Sequence, residues 1–183
     1  RRTKLKHIVH APPNIYLMRY FLVILVLAMI SCGNNTTKNE DAGIAALSSS
    51  EKLPSLTLKD IDGNTLNLSD FKGKKVFVNM WATWCPPCRA EMPSIQQLYE
   101  RTKEKNVQFV MIALDEDFSK SISYLQSTAF LLPAFHPAGT LPPLLDVEGI
   151  PATFIFDETG ALIKKIEGTE NYNTSEYVKL LSR

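Results

Sequence analysis

Two cysteines, Cys85 and Cys88, stand two residues apart in the stretch 81–88, which reads Trp-Ala-Thr-Trp-Cys-Pro-Pro-Cys. An apolar run, residues 76–81, precedes them, and a segment with helical periodicity follows. A helix that begins at the first cysteine would bring its positive end and its unpaired backbone N–H groups to that sulfur, which stabilises a thiolate. The pattern predicts a redox-active dithiol in which Cys85 attacks a disulfide and Cys88 resolves the mixed disulfide.

A structural zinc site is the main alternative for such a pair, and it needs two further Cys or His ligands at compatible spacing. The remaining candidates in the chain are Cys32, His7, His10 and His136. They form no second C-x-x-C or H-x-H cluster, and His136 stands alone in a proline-rich stretch that we expect to be a loop. We therefore predict no metal and no cofactor other than the dithiol.

Composition restricts the function further. The chain has 183 residues, 45% hydrophobic residues and a formal net charge of +1, which suits one globular domain with extra segments. The balanced charge does not favour a nucleic acid as partner. Three cysteines are too few for a disulfide framework, so stability must come from a buried core in residues 53–183.

The N-terminal part resembles an export signal. The first methionine is Met18, and we expect residues 1–17 to be an extension upstream of the true start. Residues 18–31 then form a signal peptide, because a short basic region is followed by the apolar run 21–30 and a small residue. That run is too short to cross a bilayer as a mature helix.

A cysteine follows this signal directly. Residues 29–32, Met-Ile-Ser-Cys, resemble the lipobox of bacterial lipoproteins, which implies that Cys32 is lipidated and anchors the chain to a membrane. The alternative is a secretory signal that is cleaved nearby, with Cys32 lost or left free. Residues 33–52 are polar and poor in bulky apolar side chains, so residues 32–52 are predicted to be a lipidated cysteine and a flexible tether.

From residue 53 the pattern of elements is strand, strand, strand, helix, strand, helix, strand, strand, helix. The first two strands form a hairpin around residues 62–64, and residues 130–150 are the hardest to interpret, with a possible short helix at 144–147. We predict strands at 75–81, 107–114, 152–157 and 162–166. We predict three helices, one directly after the cysteines, one at 118–128 and one at 174–181. The fold class is therefore α/β, with a central mixed sheet flanked by helices.

Residues 79–93, Asn-Met-Trp-Ala-Thr-Trp-Cys-Pro-Pro-Cys-Arg-Ala-Glu-Met-Pro, resemble the active-site signature of the TlpA- and ResA-like thioredoxin-fold proteins. Residues 68–74 and 149–160 resemble the same group. The resemblance spans about residues 53–183. It implies a thioredoxin-like fold with an added N-terminal β-hairpin and an insertion before the strand that carries a cis-proline. It also implies a membrane-tethered, extracytoplasmic thiol-disulfide oxidoreductase.

By this resemblance, Pro151 is the cis-proline that faces the dithiol, and Ile150 offers its backbone N–H and C=O to a substrate peptide. The alternative is an ordinary trans proline at the start of a strand. Pro86 and Pro87 stiffen the loop and remove two N–H groups that would otherwise reach the sulfur. Trp84 is expected to pack beside the sulfurs and shield them, or simply to belong to the core.

Glu91 is the third candidate catalytic residue. Asn79 stands where cytoplasmic thioredoxins carry a buried aspartate, so that proton acceptor is absent. Glu91 follows Cys88 by three residues and matches an acidic residue that ResA-like proteins place near the active site. If burial raises its pKa, it takes the proton of Cys88 during resolution. The alternative is an exposed glutamate that favours the helix dipole.

The leading hypothesis is an exported, membrane-anchored protein in the cell envelope that reduces disulfides in other exported proteins, as in cytochrome c maturation. Its electron donor is, by family analogy, a transmembrane thiol protein. One alternative is a peroxiredoxin-like peroxidase, since Thr83 and Cys85 echo the T-x-x-C of that fold, although Cys88 so close behind argues against it. Another is a copper-handling chaperone lipoprotein, which would need a nearby histidine such as His136.

Overall fold

The structure is a computed structural model that describes residues 51–182. Its strands are β1 (Thr57–Asp60), β2 (Thr65–Asn67), β3 (Lys75–Trp81), β4 (Val107–Ala113), β5 (Ala134–Pro137), β6 (Ala152–Phe156) and β7 (Leu162–Glu167), and its helices are α1 (Pro86–Thr102), α2 (Phe118–Thr128) and α3 (Ser175–Ser182). The predicted extension at 1–17, the signal peptide at 18–31 and the lipidation site Cys32 lie outside the described residues. Within the described part, no helix is both long and apolar enough to span a membrane.

The seven strands form one mixed sheet in the order β2-β1-β5-β4-β3-β6-β7. Strands β3, β4 and β5 are parallel, whereas β6 runs antiparallel to β3 and β7 antiparallel to β6. The hairpin β1–β2 joins the sheet through antiparallel pairing of β1 with β5. This arrangement confirms the predicted thioredoxin-like fold, including the N-terminal hairpin.

Strand β3 lies in the interior of the sheet, between β4 and β6, and all seven of its residues are buried. Successive side chains of a strand point to opposite faces, so β3 contributes to two separate cores. Phe77 and Trp81 belong to the core on the face that also receives side chains of α1, α2 and α3. Val76, Val78 and Met80 belong to the other core, which is covered by residues 53–56, a 3-10 turn at Leu68–Phe71 and the loop around Leu145.

Two predictions for residues 130–150 are wrong. Residues 134–137, expected to be part of a loop, form β5, so His136 lies in a strand. The possible helix at 144–147 is only a turn, in which Leu145 N and Asp146 N both donate to Pro142 O.

Phe77→Ala should lower the free energy of unfolding by about 3–5 kcal/mol, because it empties a site with no solvent exposure. The Phe77 ring stacks on Phe109 at 4.8 Å between centroids and meets the edge of Tyr172 at 5.2 Å. Urea unfolding of the oxidised protein measures the change. Ile61→Ala, at an apolar position that is 54% exposed, is the control and should cost less than about 0.5 kcal/mol. Equal losses in the two variants would contradict this assignment of the core.

Candidate active site

Cys85 and Cys88 form a disulfide at the end of β3, where α1 begins. Their Cα atoms are 5.3 Å apart. Cys85 is the N-cap residue of α1, and the backbone N–H of Cys88 donates to Cys85 Sγ at 3.2 Å. The side chains are almost fully buried, with 3% of Cys85 and 1% of Cys88 exposed. The first cysteine therefore stands at the positive end of a helix, as the spacing predicts.

Pro86 and Pro87 occupy the first positions of α1 and are exposed. Proline has no backbone N–H, so neither residue can donate to the sulfur. The N–H of Cys88 is the first in the helix that can do so, and it makes that bond. The two prolines thus leave Cys85 Sγ with one backbone donor from the first turn of α1.

The backbone beside the dithiol is a cis bond between Ile150 and Pro151. The carbonyl oxygen of Ile150 lies 3.7 Å from Cys85 Sγ. Pro151 is buried and leads directly into β6, which pairs with β3. The structure thus brings together Cys85, Cys88, Ile150 and Pro151, and the cis geometry expected from the resemblance is present.

Trp84 does not belong to the core, so that alternative is wrong, and its shielding of the sulfurs stays a prediction. Its side chain is 66% exposed. The tryptophan buried in the same core as both cysteines is Trp81, the last residue of β3. Since the chain leaves the sheet after Trp81, residues 82–84 no longer follow the strand alternation that would direct Trp84 inward.

A buried aspartate fixes this loop, and the sequence analysis did not identify it as a site residue. Asp115, which follows β4, accepts hydrogen bonds from Thr83 N at 3.0 Å, from Thr83 Oγ1 at 2.6 Å and from Ser121 Oγ at 2.6 Å. Thr83 is two residues before Cys85. Asp115 therefore ties the active-site loop to the end of β4 and to α2. The sequence signal that could have identified Asp115 is its position directly after a strongly apolar strand.

Glu91 lies in the interior behind the dithiol, with 2% of its surface exposed. The alternative of a solvent-exposed glutamate is therefore wrong. Asn79 Nδ2 donates to Glu91 Oε1 at 2.8 Å, and the backbone N–H of Glu170 donates to Oε2 at 3.2 Å. Burial raises the pKa of Glu91 from 4.5 to about 7, although both hydrogen bonds act in the opposite direction. Because it follows Cys88 by three residues in one helix, both side chains lie on the same side of α1.

Two further polar side chains complete a buried cluster that the sequence did not predict. Thr153 Oγ1 accepts hydrogen bonds from Asn79 Nδ2 at 2.9 Å and from the Tyr172 hydroxyl at 2.7 Å. Burial raises the pKa of Tyr172, and the charge of nearby Glu91 raises it further. We call Asn79, Glu91, Thr153 and Tyr172 the polar cluster. It joins β3, α1, β6 and the segment before α3.

His136 contacts residues that lie outside the polar cluster. Its Nε2 lies 3.1 Å from the backbone oxygen of Asp115, and its ring packs on Phe118 with 5.5 Å between centroids. In residues 51–182, no group of three or more His, Cys, Asp and Glu side chains is arranged to hold a metal ion.

A thioredoxin-like sheet with a disulfide at the first turn of its helix and a cis-proline beside the sulfur defines the class of thiol-disulfide exchange proteins. The chain belongs to the Redoxin family, which matches residues 48–181. It is 32% identical over 134 residues to the thiol-disulfide oxidoreductase ResA of Bacillus thuringiensis subsp. konkukian, an alignment that covers 72% of this chain and 78% of that protein.

Solved structures agree with this assignment. The thioredoxin domain of a thiol-disulfide oxidoreductase from Bacteroides vulgatus superimposes with a TM-score of 0.61 and 25% identity, covering 75% of this chain and 100% of that one. A thiol:disulfide interchange protein of the thioredoxin family from Chlorobium tepidum gives 0.58 and 27%, covering 71% and 94%. The predicted resemblance is confirmed: the protein is a ResA-like thiol-disulfide oxidoreductase that uses the dithiol Cys85–Cys88.

Glu91→Gln should remove a pH dependence of stability. The folded state holds the Glu91 proton up to about pH 7, whereas the unfolded chain releases it near 4.5, so the folded state binds more protons between these values. The free energy of unfolding of the wild type should therefore fall from pH 5 to pH 7, by at most about 3 kcal/mol. Urea unfolding of the oxidised protein at several pH values measures this slope.

The matched control is Glu104→Gln, the same change at an exposed position near the end of α1, which should leave the slope in place. A Glu91→Gln variant that loses stability with rising pH as steeply as the wild type would contradict the assignment of this proton to Glu91.

Proposed function

We propose that this oxidoreductase reduces disulfides in exported proteins, as in cytochrome c maturation, and that it works outside the cytoplasm while anchored to a membrane. The observation that carries the proposal is the pairing of a helix-capping sulfur with a buried acid. Cys85 Sγ accepts the Cys88 N–H at 3.2 Å, and Glu91 lies buried three residues further along the same helix. The first supports a nucleophilic thiolate, and the second supports a proton acceptor for the resolving thiol.

The first step starts from the reduced dithiol. The Cys85 thiolate attacks one sulfur of the client disulfide, and an S–S bond forms between Cys85 and the client as the client's own S–S bond breaks. The second client sulfur leaves as a thiolate and takes a proton from solvent. The positive end of α1 and the N–H of Cys88 stabilise the attacking thiolate before the reaction.

The second step releases the client. Cys88 gives its proton to Glu91 and attacks Cys85 Sγ in the mixed disulfide, and the client leaves as a thiolate that is protonated to a thiol. The client has gained two electrons, and the protein is left with the Cys85–Cys88 disulfide seen in the structure. A Glu91 pKa of about 7 supports proton exchange in both directions near neutral pH. Two electrons from a transmembrane thiol protein would then restore the dithiol.

The client would dock along the loop that carries the cis-proline. Ile150 is half-buried, and its carbonyl oxygen lies close to Cys85 Sγ, so it could pair with an extended client backbone next to the sulfur under attack. Trp84 is exposed on the neighbouring loop. Besides the predicted shielding of the sulfurs, it would offer the client an aromatic surface.

Cys88→Ala should accumulate mixed disulfides, because Cys85 can still attack while the resolving thiol is absent. The measurement is recovery of client proteins that are joined to the purified variant and released by dithiothreitol. Cys85→Ser is the matched control and should capture none, although it retains Cys88. Equal capture by both variants would overturn the assignment of the attacking sulfur.

The reduction potential of the dithiol tests the direction of electron transfer between the protein and its client. A Cys85–Cys88 reduction potential near that of DsbA, about −120 mV, would indicate an oxidant and would overturn the proposed reduction of clients.

Peroxide consumption tests the peroxiredoxin-like alternative, and we expect it to be as slow in the wild type as in Cys85→Ser. For the copper-handling alternative, binding of Cu(I) by the reduced dithiol is the decisive observation.

Cys32→Ser should release the domain from the membrane if the lipobox-like residues 29–32 direct lipidation. The measurement is membrane fractionation of bacteria that express the full chain, together with incorporation of labelled palmitate. The wild type should be labelled and sediment with membranes, whereas Cys32→Ser should be unlabelled. Membrane association of both forms without label would contradict anchoring through Cys32.

A further inference from the structure

Asn79 lies at the centre of the polar cluster and is fully buried in β3. Its Nδ2 donates both to Glu91 Oε1 at 2.8 Å and to Thr153 Oγ1 at 2.9 Å. Its Oδ1 has no hydrogen-bond partner within residues 51–182. Buried polar atoms are rarely left in this state. The amide therefore presents its donor end to Glu91 while its acceptor end is left unsatisfied.

Both oxygens of Glu91 face an N–H donor, Asn79 Nδ2 on Oε1 and the backbone of Glu170 on Oε2. A carboxylate accepts both bonds, whereas a protonated carboxyl carries an O–H that needs an acceptor. The backbone N–H of Glu170 cannot be exchanged for an acceptor. The side-chain amide of Asn79 can, because half a turn about its last bond replaces Nδ2 by Oδ1.

The rest of the polar cluster is compatible with the turned amide. Thr153 Oγ1 accepts the Tyr172 hydroxyl at 2.7 Å, and its own hydroxyl hydrogen can then donate to Asn79 Oδ1. In the turned state Oδ1 would accept from both Glu91 and Thr153, and Nδ2 would take the position in which Oδ1 now has no partner. The cluster thus has one hydrogen-bond pattern for each protonation state of Glu91.

We propose that Asn79 is the positioning residue of Glu91, holding the carboxylate through Nδ2 and turning to accept the carboxyl proton through Oδ1. This inference rests on the proposed function, in which Glu91 takes the proton of Cys88. During that transfer the Cys88 S–H bond breaks and a Glu91 O–H bond forms. Asn79 would provide the acceptor for the new O–H.

The other groups around Glu91 do not supply this function. In the described part of the chain, the charged group that acts on its pKa is the Glu170 carboxylate, which raises it. Tyr172 contributes a hydroxyl that is bonded to Thr153 and whose pKa is raised, so it stays neutral. Cys88 precedes Glu91 on the same helix. Asn79 is thus the side chain of the cluster whose hydrogen bond lowers the pKa of Glu91.

The test is the proton affinity of Glu91 in Asn79→Leu, which removes the amide with little change in volume. We expect the affinity to rise about tenfold, because the hydrogen bond to the charged carboxylate is stronger than the one to the neutral carboxyl, so its loss costs more. The measurement is an NMR pH titration of the Glu91 carboxyl carbon in the oxidised full chain, in which the disulfide does not titrate. Tyr172→Phe is the matched control, since it removes a buried hydroxyl of the same cluster that does not touch Glu91, and it should shift the affinity by less than about threefold.

Asn79→Asp preserves the side-chain shape and serves if the leucine variant does not fold. Two carboxyl groups about 3 Å apart cannot both be charged, so the pair should keep a proton to higher pH than Glu91 does in the wild type. An unchanged proton affinity in whichever of these variants folds would overturn the inference. So would a shift in Tyr172→Phe as large as that in Asn79→Leu.

A second readout follows the amide itself. The side-chain amide resonances of Asn79 in the wild type should titrate with the same midpoint as the Glu91 carboxyl carbon, and they should not titrate in Glu91→Gln. Constant Asn79 amide resonances across this range would overturn the proposed turning.

The same variants separate this inference from the proposed function. The rate of Cys88 resolution, followed by release of a client from a preformed mixed disulfide, should show a pH profile that moves to higher pH in Asn79→Leu. A shifted Glu91 affinity with an unmoved rate profile would overturn the role of Glu91 in resolution and would leave its coupling to Asn79 standing. An unshifted affinity would overturn the coupling and leave the exchange chemistry of Cys85 and Cys88 standing.

Discussion

A sulfur atom takes the place that an oxygen usually occupies at the start of a helix, and the rest of the site depends on that substitution. Cys85 Sγ receives the Cys88 N–H, and the two prolines between them have none to offer. Interaction with a helix N-terminus stabilises a negative charge by about 0.3–1 kcal/mol at a surface and up to about 2 kcal/mol when partly buried. The same interaction favours the thiolate form of Cys85 once the disulfide is reduced.

The proposed resolution of the mixed disulfide adds a second requirement, because the buried face of the same helix must then carry a group that exchanges protons. Glu91 meets this requirement at a cost in stability, since burial disfavours its charged form. Two hydrogen bonds limit that cost, one from Asn79 of the polar cluster to Oε1 and one from the backbone N–H of Glu170 to Oε2. Around the cluster, the aromatic side chains Phe77, Phe109 and Tyr172 keep the region dry and densely packed. The apolar core therefore sets the proton affinity of Glu91, and the polar cluster moderates it.

The fold could be predicted from the sequence where local signals were strong. Residues 75–81 and 107–113 are nearly continuous apolar runs, which are typical of central strands covered on both faces. Strand β5 was missed because it has only four residues, ends in proline and is defined by its partners β1 and β4 rather than by its own pattern. The possible helix at 144–147 is a turn instead. The sequence could not separate the two, because three apolar residues fit either structure.

Some residues of the site could likewise be predicted from the sequence, and others could not. The cysteines, the prolines of the loop, Pro151 and Glu91 have fixed spacing or motif context, so they could be located in advance. The exposure of Trp84 could not be predicted, because side-chain direction in a loop does not follow a period. Thr153 and Tyr172 were not found, because their part in the site depends on the tertiary contact of residues far apart in the chain.

That distance has a consequence for the order in which the protein becomes competent. Glu91 accepts the backbone N–H of Glu170 from 79 positions away, and Tyr172 reaches Thr153 from the segment that leads into the last helix. A chain that emerges from its N-terminus onward would therefore expose both thiols before the surroundings of Glu91 exist. Only when the C-terminal segment has docked is the Glu91 carboxyl held in the interior behind the dithiol.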